Sequence, residues 1–282
     1  MSDEAQRPGG AGGGLVRFVR DIVRTVYDIA VTAMWAVALA LLIRTFAFEP
    51  FRIPSPSMLP RLWVGDYLFV SKYSHGYSRY SFPFGASHSS WNPFQFEGRI
   101  LEGAPKRGDV VVFRQPRDTA VDFIKRVIGL PGDRIQVKNR IVYVNGKALE
   151  RRKVTDEERA EVDTGGIGEP GHPGNAGALE VFRETSPEGR SYVVWQIPGS
   201  EDNRVNNTDE YVVPPGHYFM MGDNRDDSTD SRNLVAVGYV PLQNLIGRAE
   251  FLFFSTNHSA ELWEIHRWPE SIRFSRVFKK IQ

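Results

Sequence analysis

Two segments of the sequence carry side chains that could supply the nucleophile and the base of a hydrolase. Ser57 lies in the segment 51–60, where prolines and serines alternate and favour an irregular, rigid backbone. A serine hydroxyl held on such a turn can act as a nucleophile when a base lies beside it. For this segment alone, the alternative is a Pro/Ser linker between two parts of the chain.

Lys125 lies in the run 122–128, whose apolar residues predict a β-strand. Because side chains alternate between the two faces of a strand, Lys125 shares a face with Phe123 and Val127, and Arg126 points the other way. Apolar neighbours would lower the pKa of the lysine, since desolvation disfavours the ammonium form. A neutral amine could then take the proton from a serine. The alternative is an exposed lysine on an edge strand.

A third polar segment, 222–232, follows a predicted strand at 218–221. It is dense in Asp, Asn and Ser, but Arg225 and Ser231 break the alternating pattern of an EF-hand calcium loop. Two interpretations remain for the segment. It is either a solvated surface turn, or a set of groups around the base, with the Ser228 hydroxyl bonding the amine.

The sequence does not contain the motifs of other common catalytic or binding sites. The chain has no cysteine, and its six histidines show no H-x-x-x-H or HExxH spacing, which argues against a zinc protease. There is no G-x-S-x-G motif and no phosphate-binding glycine loop. Lys and Arg total 35 against 34 Asp and Glu, so no basic excess points to nucleic acid. We therefore expect no cofactor, no metal and no nucleic-acid partner.

An apolar run at 29–43 precedes these segments and predicts a membrane helix over 28–48. The run alone rises only ~22 Å, but Tyr27, Phe46 and Phe48 extend it with aromatic residues suited to the headgroup level. No small-x-small cleavage site follows, which favours a retained signal-anchor over a cleaved signal peptide or a buried core helix. Residues 1–27 are predicted to form a disordered, basic, cytoplasmic tail, although arginines lie on both sides of the span.

The rest of the chain is predicted to be mainly β. Asn145-Gly146 indicates a tight hairpin, and 130–133 fits a type II turn. Short helices are possible near 155–162 and 260–266. We expect a core whose first part is 49–149, an inserted smaller lobe at 150–209, and a second core part with the C-terminal segment at 210–282. Predicted strands lie at 67–70, 110–113, 123–128, 135–137, 140–144, 179–184, 191–196, 218–221 and 249–254.

Five segments, taken in order and after an N-terminal anchor, resemble the sequence boxes of bacterial type I signal peptidases. They are 53–58 with Pro60; 65–70 with Lys72; 106–113; 124–126 with 129–133; and 222–225 with Ser228, Asp230, Ser231 and Arg232. The resemblance covers roughly 44–146 and 211–280. The chain departs from it in Pro56, which could stiffen the nucleophile turn, and in having one hydrophobic span where some members carry two. The lobe 150–209 has no clear match.

The resemblance implies a signal-peptidase-like β-barrel or β-sheet core and a role for each matching residue. Ser57 is implied to be the nucleophile and Lys125 the general base, with Ser228 orienting the lysine. The Ser55 hydroxyl and the Ser57 backbone N–H are implied to form the oxyanion hole. The implied structural supports are the pairs Arg126–Asp223 and Asp230–Arg232. The implied linings of the substrate pockets are Ile53, Met58, Phe123 and Ile124.

The resemblance also implies the substrate and the location. It implies removal of signal peptides from exported preproteins after small-x-small sites, by a domain on the periplasmic side of a bacterial inner membrane. Seven aromatic residues in the stretch 77–96 suggest a loop that dips into the headgroup region, or else an ordinary hydrophobic core. Two other classes remain possible: a self-cleaving repressor-type Ser-Lys peptidase, and a non-enzymatic single-pass membrane β-domain.

Overall fold

A computed structural model describes residues 11–82, 96, 98–161, 179–257, 259–260 and 263–281. The chain divides into two compact units, Met1–Arg44 and Thr45–Gln282. Of the aromatic residues in the proposed headgroup loop, Phe84, Trp91 and Phe94 lie outside the described residues. The insertion of that loop in a membrane therefore stays a prediction.

The first unit is dominated by one helix, α1, at Ala11–Phe46. Its segment Arg17–Phe46 contains an 18-residue stretch with a mean hydropathy of 2.1 and is long and apolar enough to cross a membrane. The predicted disorder of the tail is wrong from residue 11 onward, because the long apolar helix continues toward the N-terminus and overrides the weak helix propensity of Gly12, Gly13 and Gly14. The helix ends two residues before the predicted 48, since Phe48 already starts a strand.

The second unit is mainly β, as predicted. Its strands are β1 Phe48–Arg52, β2 Asp66–Ser71, β3 Val110–Arg114, β4 Asp122–Gly129, β5 Arg134–Lys138, β6 Ile141–Val144, β7 Lys147–Ala148, β8 Glu150–Lys153, β9 Glu180–Thr185, β10 Ser191–Gln196, β11 Tyr211–Val212, β12 His217–Met221, β13 Val240–Pro241 and β14 Leu245–Ser255. Two short helices, α2 and α3, lie at Asp156–Glu161 and Trp268–Ser271. Each predicted strand matches an observed one, with small differences at the ends.

The strands form three sheets with antiparallel pairing. The main sheet has seven strands in the order β1-β2-β14-β3-β4-β12-β13. The other two sheets have the orders β11-β5-β6-β7 and β10-β9-β8. Strand β4, which carries Lys125, lies between β3 and β12. The alternative of an exposed lysine on an edge strand is therefore wrong.

Two predicted turns set the connections after β4. Gly132 adopts a φ of 89°, and the Asp133 N–H donates to the Leu130 carbonyl at 3.0 Å, which closes the tight turn into β5. Asn145 and Gly146 both have positive φ and join β6 to β7, as a two-residue hairpin requires. These two turns set the start of β5 and the break between β6 and β7 in the four-stranded sheet.

The inserted lobe forms the three-stranded sheet of β8, β9 and β10 and belongs to the same compact unit as the core. One apolar cluster joins the two parts, because Leu59 and Trp63 of the core pack with Val181 and Trp195 of the lobe. The lobe is therefore packed against the core near the segment that follows Ser57.

Candidate active site

Ser57 lies in a short 3-10 turn, Pro56–Met58, a few residues after the end of β1. The Leu59 N–H donates to the Pro56 carbonyl at 3.0 Å and closes the turn. Met58 is fully buried in an apolar cluster that also contains Ile53. The residues before and after Ser57 are therefore both anchored in the same cluster. Only 7% of Ser57 is exposed. Its hydroxyl is thus fixed in a largely dry environment.

Lys125 reaches the same place from the middle of the main sheet. Its side-chain nitrogen donates to the Ser57 hydroxyl oxygen at 2.6 Å and to the Ile124 carbonyl at 3.0 Å. The nitrogen also lies 5.3 Å from the centre of the Phe123 ring, the neighbour predicted to share its face. The lysine is 4% exposed, so the two side chains that sequence reasoning selected meet in a buried site.

The environment of Lys125 favours the neutral amine. Burial lowers the pKa of Lys125 from 10.5 to about 8, and the nearby carboxylates of Asp230 and Asp223 limit the decrease. A pKa near 8 leaves a useful fraction of the side chain uncharged at neutral pH, whereas an ordinary lysine is almost fully protonated. A neutral amine in hydrogen-bonding contact with a serine hydroxyl can accept its proton.

Ser55 lies beside this pair. Its hydroxyl oxygen is 3.3 Å from that of Ser57, and the residue is partly exposed. A 3-10 turn also leaves the N–H groups of its first residues without partners inside the turn, and Ser57 is one of those residues. A hydroxyl donor and an N–H donor are thus available on the same short segment as the Ser57 hydroxyl.

Two buried ion pairs support the site. Arg126 donates two hydrogen bonds to Asp223, at 2.7 and 2.6 Å, and Arg232 donates two to Asp230, at 2.9 and 2.8 Å. Although burial disfavours ionisation of Asp230, the Arg232 guanidinium holds the pKa of that carboxyl below its usual range. As predicted, Arg126 points to the face of β4 opposite Lys125. Arg126 is nevertheless buried, because the Asp223 carboxylate compensates its charge.

The loop 222–232 is joined directly to the turn that carries Ser57. The Asn224 N–H donates to the Ser57 carbonyl at 3.1 Å, and the Asn224 side-chain amide donates to the Pro56 carbonyl at 3.3 Å. At its other end, Asp230 accepts the Gly222 N–H at 3.0 Å. The sequence analysis did not select Asn224, although it lies between two residues of a matching box.

Ser228 does not make the contact predicted for it. Its hydroxyl is buried and has no hydrogen-bond partner among the described residues, and Lys125 bonds the Ile124 carbonyl instead. Ser228 lies close to the Ser57 backbone, since a Cβ atom built on Gly222 would be 2.2 Å from the Ser228 hydroxyl oxygen and 2.5 Å from the Ser57 carbonyl oxygen. The predicted bond between Ser228 and Lys125 is therefore not formed in this structure.

The four predicted pocket residues separate into two groups. Ile53, Met58 and Ile124 belong to one apolar cluster beside the nucleophile turn, and Phe123 packs against another cluster that contains Val127. The separation follows from strand alternation, which puts Phe123 and Ile124 on opposite faces of β4. Within the described part of the chain, no group of three or more His, Cys, Asp or Glu side chains is arranged to hold a metal ion.

Comparisons with known proteins show the family to which the chain belongs. Residues 26–254 match the family described as "Signal peptidase, peptidase S26", a range that includes Ser57, Lys125 and the loop 222–232. The chain belongs to the signal peptidase family. It is a membrane-anchored peptidase that acts on signal-peptide-bearing preproteins. The family match also runs through the lobe, which the sequence analysis had left without a counterpart.

Relatives from Rickettsia are similar in sequence to this chain over nearly its whole length. The signal peptidase I of Rickettsia canadensis is 41% identical over 262 residues, which cover 88% of this chain and 90% of the relative. That of Rickettsia typhi is 39% identical over 273 residues, covering 92% and 95%. A crystal structure of a signal peptidase I from Enterococcus faecalis is 25% identical, with a TM-score of 0.28, and covers 51% of this chain and 96% of that one.

Proposed function

We propose that this signal peptidase is a serine endopeptidase with a Ser-Lys dyad, in which Ser57 is the nucleophile and Lys125 the general base. The observation that carries the proposal is the 2.6 Å contact between a buried lysine nitrogen and a buried serine hydroxyl. No metal or cofactor is required for this chemistry, because the amine itself supplies the base.

In the first half of the reaction, the neutral amine takes the hydroxyl proton as the Ser57 oxygen attacks the scissile carbonyl. The Ser55 hydroxyl and the Ser57 N–H stabilise the oxyanion of the tetrahedral intermediate. The intermediate collapses, the ammonium of Lys125 gives its proton to the leaving amine, and the signal peptide stays as an ester on Ser57. The neutral amine then activates a water molecule that hydrolyses the ester and regenerates the serine.

The substrate is an exported preprotein, bound as an extended strand. Strand β1 is the terminal strand of the main sheet and leads directly into the segment that carries Ser57, so an extended peptide pairing along it would reach the nucleophile. Small side chains are required at the first and third positions before the cut, because Ile53, Met58 and Ile124 fill the space beside Ser57 with apolar bulk. Phe123 lines the opposite side of β4.

The chain spans a bacterial inner membrane once, with a cytoplasmic N-terminus and the unit Thr45–Gln282 on the periplasmic side. Support comes from the single candidate span among the described residues and from Arg17, Arg20 and Arg24 at its start. Protease treatment of spheroplasts tests the orientation. Added protease is expected to remove the second unit while a tag at the N-terminus stays protected; the reverse pattern would contradict it.

Processing of a model preprotein with an Ala-x-Ala site, in detergent, tests the proposed chemistry. Wild type is expected to cut after that site, while Ser57→Ala and Lys125→Met are both inert. Matched controls are Ser186→Ala, a buried serine of the lobe, and Lys147→Met, an exposed hairpin lysine, which should cut like wild type. Cutting by Ser57→Ala at the wild-type rate would show that the proposed dyad is wrong.

A further inference from the structure

The inserted lobe contacts the segment 223–225 through backbone hydrogen bonds. The Trp195 N–H of β10 donates to the Asp223 carbonyl at 2.9 Å, and the Arg225 N–H donates to the Trp195 carbonyl at 2.9 Å. Trp195 and Asn224 thereby form a parallel bridge. Segment 223–225 is thus held as a short extra strand on the open edge of the lobe sheet.

The central residue of this segment, Asn224, also contacts the turn that carries Ser57. As described above, Asn224 donates its N–H to the Ser57 carbonyl and its side-chain amide to the Pro56 carbonyl. Asn224 is nearly fully buried, so water does not compete for these bonds. A displacement of 223–225 would therefore move the Ser57 turn relative to Lys125, which is anchored separately in the main sheet.

Two further contacts hold the lobe, one to segment 223–225 and one to Arg126 of β4. Arg225 donates one hydrogen bond to Glu184 of β9 at 2.9 Å and a second to its other carboxylate oxygen, and both residues are almost completely buried. Tyr192 of β10 lies under the Arg126 guanidinium, at 4.3 Å from the ring centre. Removing one partner of a fully buried ion pair leaves the other charge uncompensated and displaces it toward water.

We propose that the lobe is a positioning element for the nucleophile, and that Glu184 is the positioning residue that holds segment 223–225, and through it Ser57, in register with Lys125. The inference rests on the proposed dyad. Glu184 touches neither substrate nor Lys125, and it acts through Arg225 and Asn224. Loss of its charge releases 223–225, draws Ser57 away from the amine and lets water reach Lys125.

Glu184→Gln in the full chain tests this inference, because the amide preserves shape and removes the charge. The measurements are thermal unfolding, and kcat and KM for preprotein cutting across pH 6–10. At pH 8 we expect kcat, corrected for the folded fraction, to fall about 10- to 100-fold with KM nearly unchanged, as for a misplaced reacting group. We also expect the pH of half-maximal kcat/KM to rise by about one unit, because contact with water raises the pKa of the lysine.

Asp133→Asn is the matched control, because it breaks the Arg107–Asp133 pair, which is buried at a different place in the same unit. It should lower stability without moving the pH profile. Glu184→Asp keeps the charge but is one methylene shorter; it should fold and show a smaller loss in the same direction. If Glu184→Gln does not fold, the kcat and pH profile of Glu184→Asp test the inference in its place.

Wild-type kcat and pH profile in the folded Glu184 variants would overturn the inference and leave the lobe a purely structural part. Ser57→Ala in the same assay separates this result from failure of the proposed function. If Ser57→Ala is inert and the Glu184 variants behave like wild type, only the positioning role is wrong. If Ser57→Ala cuts normally, the dyad is wrong and the positioning role is wrong with it.

Discussion

The side-chain nitrogen of Lys125 lies 2.6 Å from the hydroxyl oxygen of Ser57, although 68 positions separate the two residues in the chain. The serine comes from an irregular turn after the first strand, and the lysine from the centre of the main sheet. Their contact exists only when the sheet is complete and the loop 222–232 is closed on the turn. In the proposed mechanism, catalysis therefore depends on the same buried groups that hold the fold together.

Replacement of Lys125 by methionine is expected to stabilise the protein while abolishing activity. Burial lowers the pKa of Lys125 to about 8 from 10.5, so the folded state binds fewer protons than the unfolded state between these values. The cost of burying the ammonium is fully present below pH 8 and disappears above pH 10.5. After loss of the two hydrogen bonds, we expect a gain of about 2 kcal/mol at pH 7.

Urea unfolding of Lys125→Met and wild type at pH 7 and pH 10.5 measures this gain, which should shrink at the higher pH. The exposed Lys147→Met variant serves as a control and should change the free energy of unfolding by less than about 0.5 kcal/mol. A methionine variant less stable than wild type at pH 7 would show that the amine is not strained by burial.

Asp223→Asn is expected to destabilise the protein strongly, because it leaves the buried Arg126 guanidinium without its counter-charge. Loss of one partner of such a pair costs about 3–5 kcal/mol. Glu210→Gln, which breaks the exposed pair with Arg134, should cost less than about 1 kcal/mol. Denaturant unfolding compares the two variants, and equal effects would contradict the structural role given to Asp223.

Ser55→Ala removes one proposed oxyanion donor and is expected to lower kcat about 100- to 1000-fold with little change in KM. The reason is that the oxyanion forms only in the transition state, so ground-state binding does not use this hydroxyl. Ser55→Thr keeps a hydroxyl and should recover part of the rate. Steady-state kinetics on a preprotein decide the matter; a rise in KM with unchanged kcat would assign Ser55 to substrate binding instead.

Gly222→Ala is expected to inactivate a protein that still folds. The new methyl group would lie 2.5 Å from the Ser57 carbonyl oxygen and 2.2 Å from the Ser228 hydroxyl oxygen, so the nucleophile turn must move. We expect kcat to fall about 100-fold, as for a small displacement of a reacting group. Gly146→Ala is the control, since its strain lies in the β6–β7 hairpin. Activity retained by the Gly222 variant would mean that the turn tolerates displacement.

Local patterns in the sequence were enough for the strands and the two glycine turns. They also marked Ser57 and Lys125 as candidates, but only the family resemblance joined the two into a proposed dyad. Strand alternation placed Lys125 beside Phe123, and turn chemistry placed the breaks at Gly132 and at Asn145-Gly146. These features depend on near neighbours in the chain, so they are readable without coordinates. The same reading misplaced the start of α1, because a long apolar helix overrides the weak propensity of the preceding glycines.

Local patterns do not predict contacts between distant segments, and the pair Arg126–Asp223 was expected only from the family resemblance. Glu184 meets Arg225 across 41 positions, and only the pairing of β10 with segment 223–225 brings them together. Asn224 likewise shows nothing in sequence that connects it to the Ser57 carbonyl. The expected bond from Ser228 to Lys125 failed for a related reason, since the choice between a hydroxyl and a nearby carbonyl depends on distances of about an ångström.

The pH dependence of kcat/KM for cutting a preprotein with an Ala-x-Ala site tests the central claim most directly, because it reports the ionisation of groups in the free enzyme. With Lys125 as a base of pKa about 8, kcat/KM should rise between pH 6 and 9, reach half its maximum near pH 8 and be about tenfold below the plateau at pH 7. A flat profile over this range, or the same rising profile in Lys125→Met, would contradict the assignment of Lys125 as the base.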